Sequence, residues 1–434
     1  MRFGDSWDAG HIFPPRELVL TRDDREQYET LADQLVAETL QASEEFITDR
    51  RSVDLERWKV VLEKGSMTAY RARARGQRRA RRGRLETEEA VESSVVHRPK
   101  LYSADSSLSD LMGRSHTHLS CEDDRSSFAG SDYFDNSRID PETPEQSVLG
   151  KSRPRNTPMV FGGGVIPGTV DDAGLGFLAD TLERSLMRAA TSKEVNVKDL
   201  RILAQFRGPT QQDPFRFLGI KWSSYSSSKA GGSVAKPRDT VTLESTGTTL
   251  DSNGERVCYF LNHSVEIVEV PEFRKHRLVR LRTSSCRIVR PYDSQGEVEV
   301  YFRGYCNAGG HFSTSASTQL FCEAMLDTAQ LVEESYMKKM AWFIHAHARR
   351  QKVEEDKHEG CACCHKLPTK GLKKLLESTT TCFLCRRKVC KKCTVKKNLS
   401  MDSSSKKSLD FCLNCYLKAK QLSAWRVALA TLPK

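Results

Sequence analysis

Eight cysteines near the end of the sequence form four regularly spaced pairs. The 434-residue chain has 14 cysteines, of which nine fall between positions 361 and 415. Two residues between paired thiolates let both reach one zinc ion at about 2.3 Å, and two pairs complete a tetrahedron. Eight thiolates therefore satisfy two structural Zn²⁺ ions and leave no open position for a catalytic water. The pairs are Cys361/Cys364, Cys382/Cys385, Cys390/Cys393 and Cys412/Cys415.

The sequence allows two ways of sharing the four pairs between the ions. Only four residues separate the second pair from the third. If these two pairs shared an ion, the segment would form two separate ribbons, and if they bind different ions, the chain is cross-braced. Cys363, His358 and His365 are spare potential ligands. In the cross-braced case one zinc takes Cys361, Cys364, Cys390 and Cys393, and the other takes Cys382, Cys385, Cys412 and Cys415.

The positive charge of the chain is concentrated in the same segment. The formal net charge is +11, and residues 361–434 carry 17 Lys and Arg against 3 Asp and Glu. A basic module of this kind binds anionic partners, and each basic residue near an anionic leaflet contributes about 1 kcal/mol. A solvated basic face without a partner is the alternative. The candidate membrane-contacting residues are Lys373, Lys374, Leu375, Leu376, Arg386, Arg387, Lys388, Lys391 and Lys392.

Regular elements precede this module. The segment from Thr21 to Asp24 predicts a helix start, because an N-cap residue is followed by acidic residues of the first turn. Apolar residues at helical spacing carry this helix to about Phe46. Trp58–Leu62 and Met67–Tyr70 predict a hairpin.

Residues 71–155 interrupt this order. The run from Arg71 to Arg84 contains eight Arg in 14 residues, and a Ser- and acid-rich stretch follows as far as Arg155. Such a composition buries too little apolar surface to fold, so it predicts a disordered insertion. The arginine run lacks interleaved aromatic residues for base stacking, so nucleic acid is not an expected partner.

Order resumes near Met159, where Asp171–Arg188 predicts a helix. Four segments that alternate apolar with polar residues then predict strands. A final amphipathic helix of about 30 residues includes Phe321 and Phe343 on its apolar stripe. This order is α+β, and an antiparallel sheet curled around a long C-terminal helix leaves an apolar hollow between them. The predicted strands contain Val241/Leu243, Val257/Tyr259/Leu261, Val279/Leu281 and Val298/Val300/Phe302.

Several classes of protein are not expected. Residues 1–5 do not begin a signal peptide, and no window approaches 18 consecutive apolar residues, so we expect neither secretion nor a transmembrane segment. Clustered Cys-x-x-Cys pairs are typical of metal binding in a reducing, cytoplasmic compartment. The sequence lacks a Gly-x-Ser-x-Gly elbow and a His-Glu-x-x-His motif, so we expect no enzyme activity.

The cysteine spacing resembles that of FYVE-type zinc fingers, which read phosphatidylinositol 3-phosphate on endosomal membranes. The match consists of the four-residue gap between Cys385 and Cys390 and the long loop that ends at Cys412. The stretch from Lys396 to Tyr416 is similar to the last segment of the family. The resemblance implies a small cross-braced two-zinc finger of FYVE/PHD-like type, peripheral on an endosomal membrane.

The family reads its phosphate with residues that this sequence lacks. Asp356-Lys-His-Glu-Gly360 has no Trp where the WxxD motif stands in the family. Thr379-Thr-Thr381 stands before Cys382 in place of the basic motif, and Asp410-Phe411 precedes Cys412 in place of the RVC motif. The resemblance therefore implies the fold of the finger and leaves its lipid specificity open.

Residues 13–345 resemble the START-like (helix-grip) domains that occur joined to FYVE-type fingers. The resemblance implies a curved antiparallel sheet with a long C-terminal helix, and a lipid-sized cavity under that helix. The matching stretches are Arg51-Ser-Val-Asp-Leu-Glu-Arg-Trp-Lys59, Pro167-Gly-Thr-Val-Asp-Asp172, Phe215-Arg-Phe-Leu-Gly-Ile-Lys-Trp222, Pro237-Arg-Asp239 with Leu243-Glu-Ser-Thr-Gly247, and Tyr301-Phe-Arg-Gly304.

Together these inferences predict a START-like domain at 13–350 with its insertion at 71–155, a zinc finger at 356–420, and a C-terminal tail or helix at 421–434. The expected function is a non-enzymatic lipid- and membrane-binding adaptor. The START-like cavity would hold an apolar ligand, and the finger would attach to anionic membrane lipid, phosphoinositides included. The alternative is a scaffold that uses the finger as a platform for a protein or nucleic-acid partner.

Overall fold

The computed structural model describes residues 18–73, 147–191, 197–225, 229–230, 233–234, 236–292, 296–348, 360–367, 379–402 and 405–432. Residues 74–146, the larger part of the predicted insertion, lie outside the described residues. The predicted bounds 71–155 are wrong at both ends, where a strand (Met67–Ala72) and a helix (Val148–Ser152) reach into them. His358 and the segment from Lys373 to Leu376 lie outside them as well.

Long strands and helices predominate among the described residues up to 348, and shorter elements follow. Up to residue 348 the elements are α1 (Arg22–Thr48), β1 (Trp58–Lys64), β2 (Met67–Ala72), α2 (Val148–Ser152), β3 (Val160–Pro167), α3 (Val170–Phe177), α4 (Leu182–Thr191), β4 (Val197–Arg207), β5 (Phe217–Tyr225), β6 (Lys229–Ala230), β7 (Ser233–Val234), β8 (Arg238–Leu250), β9 (Arg256–Ser264), β10 (Val279–Arg280), β11 (Arg282–Pro291), β12 (Glu297–Asn307), α5 (Thr314–Leu326) and α6 (Thr328–Ala348). Later elements are β13 (Thr379–Thr381), β14 (Lys388–Cys390), β15 (Thr394–Asp402), β16 (Ser405–Cys412), α7 (Leu413–Lys420) and α8 (Ala424–Ala430), with 3₁₀ turns at Arg274–His276 and Lys391–Cys393.

A large antiparallel sheet makes the fold α+β, as the sequence predicts. Its strands run in the order β1-β2-β3-β12-β11-β9-β8-β5-β4, and the short β10 pairs in parallel with β8. The predicted hairpin is confirmed as β1 and β2, whose register pairs Trp58 with Ala72. Predicted strands are confirmed in β8, β9 and β12. The strand predicted at Val279/Leu281 is confirmed only as the two-residue β10, and the sequence pattern misses β3, β4, β5 and β11.

Helix α1 covers one face of the sheet. The Thr21 side chain accepts the N–H of Asp24 at 3.1 Å, and the Asp24 carboxylate accepts the N–H of Thr21 at 2.9 Å. This capping box satisfies two backbone donors, so the predicted helix start is confirmed. Leu35 of α1 and Trp222 and Leu243 of the sheet belong to one buried apolar cluster.

The opposite face of the sheet packs against α3, α5 and α6. Phe302 of the sheet and Phe321 and Met325 of α5 are buried in one cluster there. The predicted 30-residue final helix is wrong in one respect, because Asp327 separates α5 from α6. The N–H of Asp327 closes α5 on the carbonyl of Glu323 at 3.2 Å. The predicted helix Asp171–Arg188 is likewise two helices, interrupted after residue 177.

The cysteine-rich segment packs on α6. Met340 and Ile344 of α6 lie in one buried cluster with Phe411 and Ala419. Lys397 on β15 forms an ion pair with Glu333 of α6. The segment therefore contacts the described residues from 18 to 348, called the body below, through apolar packing and through an ion pair.

The end of the described chain returns to the body as α8. Val427 and Ala428 are buried against Leu175 and Phe215. The rings of Phe215 and Trp425 meet edge to face, with centroids 5.5 Å apart. Of the two forms predicted for residues 421–434, the structure has a helix, over Ala424–Ala430.

Candidate metal centre and charged interior

Two groups of four cysteines come together after residue 360. Within each group the four Sγ atoms lie within 4.8 Å of one another. The Sγ atoms of Cys364 and Cys390 are 3.8 Å apart, and those of Cys385 and Cys412 are 3.9 Å apart. A tetrahedral ion with bonds of about 2.3 Å separates its sulfur ligands by about 3.8 Å, so the donor type and spacing fit zinc. The groups are Cys361, Cys364, Cys390 and Cys393, and Cys382, Cys385, Cys412 and Cys415.

These groups interleave along the chain, which is the cross-braced alternative. Neither group includes the spare candidates Cys363 and His365, and the described part of the chain does not extend to His358. Two zinc ions stay a prediction, and the structure brings together the residues that would hold them.

The first and second pairs lie in two turns of the same geometry. In each turn the residue after the second cysteine has a left-handed backbone, with φ 57° at His365 and 60° at Arg386. Its N–H donates to the carbonyl of the first cysteine, at 2.9 Å to Cys361 and 3.0 Å to Cys382. Left-handed backbone at a non-glycine residue costs about 1 kcal/mol or more, a cost that metal binding would offset.

The third and fourth pairs begin short helical turns. Cys390 precedes a single 3₁₀ turn, and Cys412 is the N-cap of α7. The Sγ atom of Cys412 accepts the N–H of Cys415 at 3.3 Å, and that of Cys361 accepts the N–H of Cys390 at 3.5 Å. Backbone donors favour the thiolate, which is the form of cysteine that binds zinc.

Each group contains thiols whose pKa is lowered, Cys361 in one and Cys382 in the other, and thiols whose pKa is raised, Cys393 and Cys412. Burial opposes ionisation of Cys361, but hydrogen bonds from the backbone of Cys364, Cys390 and Cys363 lower its pKa to about 6. Burial raises the pKa of Cys412 to about 12. Filling both groups with metal therefore releases protons, and acid opposes metal binding.

The basic residues of the finger lie on the second turn, on β14 and on the 3₁₀ turn. The guanidinium of Arg386 lies 5.0 Å from the ring centroid of Phe383. Within the described ranges, Lys388, Lys391 and Lys392 form no ion pair with a carboxylate. All of the predicted membrane residues in those ranges except Arg387 are exposed. Those residues are Arg386, Arg387, Lys388, Lys391 and Lys392.

Charged side chains occupy the interior between the sheet and α4. Glu244 on β8 accepts hydrogen bonds from Lys221 at 2.6 Å and from Arg188 at 2.5 Å. Lys221 also donates to the carbonyl of Ala179 at 2.5 Å and to the Ser185 hydroxyl at 3.2 Å. Burial lowers the pKa of Lys221 to about 8. Charged side chains therefore lie beside apolar ones in the interior where the sequence predicts a hollow.

Arg287 adds a buried cation to this interior. Its Nε donates to Thr328 at 3.2 Å, its Nη2 donates to the carbonyl of Ala324 at 3.2 Å, and its guanidinium lies 5.3 Å from the centroid of Phe260. Burial and the nearby Arg188 lower its pKa to about 10. The described hydrogen-bond partners of Arg287 are a hydroxyl and a carbonyl, with no carboxylate among them.

Two lysines of α6 tie this helix to its neighbours. Lys338 donates to three carbonyls near the end of α3, at 2.8 to 3.1 Å. These carbonyls lack partners within their own helix, so Lys338 caps α3. Lys339 pairs with Asp172 at 2.5 Å and donates to the carbonyl of Lys420 at 3.1 Å. One helix thereby connects the interior of the body with the end of α7.

The interior charges have only a weak signal in the sequence. Lys221 stands in a strand that is buried over almost its whole length, so it interrupts no visible alternation. Glu244 stands between Leu243 and Ser245 and reads as an ordinary outward-facing residue. The signal that could have indicated the ion pair is that Lys221 and Glu244 are charged residues in the middle of apolar strand segments.

No family model and no curated protein matches the chain. Solved structures of START-related lipid transfer proteins are similar to it. Human StAR-related lipid transfer protein 5 is 14% identical over 70% of this chain and 96% of that chain, with a TM-score of 0.37. Human STARD10 is 9% identical over 79% of this chain and 89% of that chain, with a TM-score of 0.36. A STAR-related lipid transfer protein from Xanthomonas axonopodis is 10% identical over 64% of this chain and 96% of that chain, with a TM-score of 0.33.

In the part of the chain that the structure describes, none of the helices combines the length and the apolar character needed to cross a bilayer.

Proposed function

We propose that this chain is a non-enzymatic lipid- and membrane-binding adaptor. In this proposal a two-zinc finger attaches a START-like body to an anionic membrane surface. The observation that carries it is the set of exposed cations around two closed cysteine groups. Four sulfur ligands leave no position for a substrate, so each zinc would act by holding the turns from which the cations project.

The docking of the finger supports this orientation. The finger contacts α6 mainly through α7 and β15. The cations Arg386, Lys388, Lys391 and Lys392 lie on other parts of the finger and are exposed. At about 1 kcal/mol each near an anionic leaflet, four such residues contribute about 4 kcal/mol to membrane binding. This attraction is electrostatic, so it weakens as ionic strength rises.

The body would hold an amphipathic ligand that carries a negative charge. Support comes from Arg287, a buried cation whose described hydrogen-bond partners are a hydroxyl and a carbonyl. Phe260 and Phe177 lie in the same interior with ring centroids 5.2 Å apart, and they offer apolar surface beside the charge. An anionic head group at Arg287 would offset the cost of burying that charge.

A vesicle assay on the zinc-loaded full chain tests the membrane half. We expect binding to vesicles with phosphatidylserine or phosphoinositide, and none to pure phosphatidylcholine. Neutralising four finger cations should weaken binding by about a thousandfold, which corresponds to the loss of about 4 kcal/mol. A control with the same change in charge on the body should bind like the wild type. The finger variant is Arg386→Gln/Lys388→Gln/Lys391→Gln/Lys392→Gln, and the control is Arg25→Gln/Lys59→Gln/Lys151→Gln/Arg155→Gln.

If both variants weaken binding equally, the finger has no special role and net charge alone explains attachment. If the wild type ignores every anionic composition, the membrane half fails and the finger is better explained as a platform for a protein partner.

Mass spectrometry of lipids that co-purify with the chain tests the ligand half. Arg287→Gln should reduce the anionic lipid retained, whereas Arg256→Gln, a partly exposed arginine on β9, should not. Retention that is the same in both variants, or no lipid in any of them, would contradict a ligand held at Arg287.

A further inference from the structure

A crevice opens on the α1 face of the sheet, opposite the interior around Glu244. Its walls are aromatic and include Phe46, Trp58, Phe161 and Tyr301. The rings of Trp58 and Phe161 meet edge to face with centroids 4.4 Å apart, and those of Phe46 and Tyr301 are 5.6 Å apart. The empty space is about 590 Å³, including solvent at the open mouth. None of these residues has a part in the function proposed above.

The mouth of the crevice is acidic. Glu45, Asp49 and Asp54 line it, and all three are exposed. The cation in the lining is Arg303, which is buried and donates to the carbonyl of Glu38 at 3.3 Å. Three carboxylates against one guanidinium leave the crevice with a negative charge, which attracts a cationic side chain.

The arginine run of the sequence begins beside this mouth. The last described residue of the run is Arg73, whose N–H donates to the carbonyl of Arg57 at 2.9 Å. Its Nε donates to the carbonyls of Leu55 at 3.0 Å and Trp58 at 3.1 Å. Trp58 lines the crevice, and Leu55 follows the acidic Asp54. The next arginine is two residues away, within about 7 Å of extended chain.

We propose that the crevice is an intramolecular docking site for an arginine of the run from Arg75 to Arg84. A guanidinium is planar, stacks on aromatic rings and donates paired hydrogen bonds to carboxylates. The crevice provides both kinds of partner within one space. A lysine of the same charge has neither the plane nor the fork of donors. The occupant is a segment of this chain because that segment starts at the mouth and carries the complementary charge.

Docking would give the arginine run a function other than nucleic-acid binding. A docked arginine is withheld from anionic partners, while its neighbours in the run stay available to them. This inference does not rest on the zinc finger or on membrane attachment, and it can fail while the proposed function stands.

A peptide-binding experiment on the full chain tests the docking site. The receptor is the full chain with the arginines from 75 to 84 replaced by Gln. The probe is a labelled peptide of residues 74–85, and its binding is followed by fluorescence anisotropy. We expect saturable binding that weakens by about tenfold when every arginine of the peptide is replaced by lysine, because stacking and paired hydrogen bonds are lost. The receptor carries Arg75→Gln, Arg78→Gln, Arg79→Gln, Arg81→Gln, Arg82→Gln and Arg84→Gln.

Removing the acids of the mouth provides the second arm. Glu45→Gln/Asp49→Asn/Asp54→Asn in the receptor should weaken peptide binding by about tenfold. Asn keeps the oxygen with which Asp54 accepts the N–H of Glu56 at 2.7 Å, so the local turn is retained. Asp23→Asn/Glu26→Gln/Glu63→Gln removes the same charge from exposed positions elsewhere and should leave binding unchanged.

Hydrogen exchange completes the test. The amide hydrogens of residues 42–58 should exchange more slowly in the wild-type chain than in the receptor with the six replaced arginines. Adding the arginine peptide to that receptor should restore the protection. The proposal is overturned if the lysine peptide binds equally well, if the control acids matter as much as Glu45, Asp49 and Asp54, or if the peptide does not bind. Protection that rises with protein concentration would instead identify a second copy as the occupant.

Discussion

Replacing Glu244 by Gln tests whether the interior of the body is dry and held together by charge. Glu244 is 1% exposed, and both Lys221 and Arg188 donate to it. Gln keeps the shape of the side chain and one acceptor oxygen but removes the negative charge. The variant therefore leaves two buried cations beside a neutral amide.

The expected loss of stability follows from this arrangement. Removing one partner of a buried ion pair costs about 3 to 5 kcal/mol, because the other charge stays buried and unpaired. Lys221 can relieve part of this cost by losing its proton, since burial already lowers its pKa to about 8. Losing Glu244 removes an interaction that raises the pKa of Lys221. We therefore expect the lower end of the range, about 3 kcal/mol at pH 7.

The loss of stability in the Glu244→Gln variant should also depend on pH. A lysine whose pKa is lower in the folded state than in the unfolded state makes folding more favourable as pH rises through the folded pKa. In the Glu244→Gln variant this gain starts at a lower pH than in the wild type. The difference in stability between the two chains should therefore shrink between pH 7 and pH 9.

Urea unfolding followed by far-UV circular dichroism measures both quantities. Glu63→Gln, at an exposed position, is the control and should change stability by less than about 0.5 kcal/mol. A loss below about 1 kcal/mol for Glu244→Gln would refute the reasoning, because it would mean that water already screens the two cations. A loss that is the same at pH 7 and pH 9 would refute the role given to Lys221.

Three further predictions concern the elements around the site. Thr21→Ala removes the capping box of α1 and should cost about 1 kcal/mol in urea unfolding, whereas Thr21→Ser should cost less; equal losses would argue against the cap. Met340→Ala removes a buried side chain between α6 and the finger and should lower the free energy of unfolding by about 2 to 5 kcal/mol, measured by calorimetry. An unchanged unfolding transition would mean that the finger does not pack on α6 at this residue. Burial lowers the pKa of His263 to about 4, so the wild type should lose stability as pH falls from about 6.5 to about 4. His263→Gln should reduce that loss, measured as the melting temperature at each pH. The same pH dependence in both chains would contradict a buried neutral imidazole.

Local signals in the sequence predicted the elements whose stability is local. The capping box at Thr21 and the hairpin from Trp58 depend on residues within a few positions of each other. Strand β5 was missed because it is buried on both sides and therefore lacks alternation. The break at Asp327 was missed because the apolar stripe continues across it into α6. Hydrophobic periodicity predicts which face of a helix is buried, but it does not predict the residue at which one helix ends and the next begins.

In the candidate site, too, the sequence predicts what depends on neighbouring residues and does not predict what depends on distant ones. Cysteine spacing identified all eight residues that the structure gathers into two groups, because ligands of one turn are close in sequence. Their interleaved grouping depends on how distant turns pack, which spacing alone left open. The interior cluster at Glu244 joins β5, β8 and α4, and no short motif links these elements. The grouping of these charges therefore follows from the tertiary fold and not from sequence spacing.

Native mass spectrometry of the full chain tests the central claim, that two closed zinc sites build the finger. We expect two Zn²⁺ per chain in the wild type, one after Cys382→Ser, one after Cys390→Ser, and two after Cys363→Ser. X-ray absorption at the zinc edge should show sulfur ligands alone at about 2.3 Å. A wild-type chain that retains fewer than two zinc ions, or a Cys363→Ser variant that loses one, would contradict it.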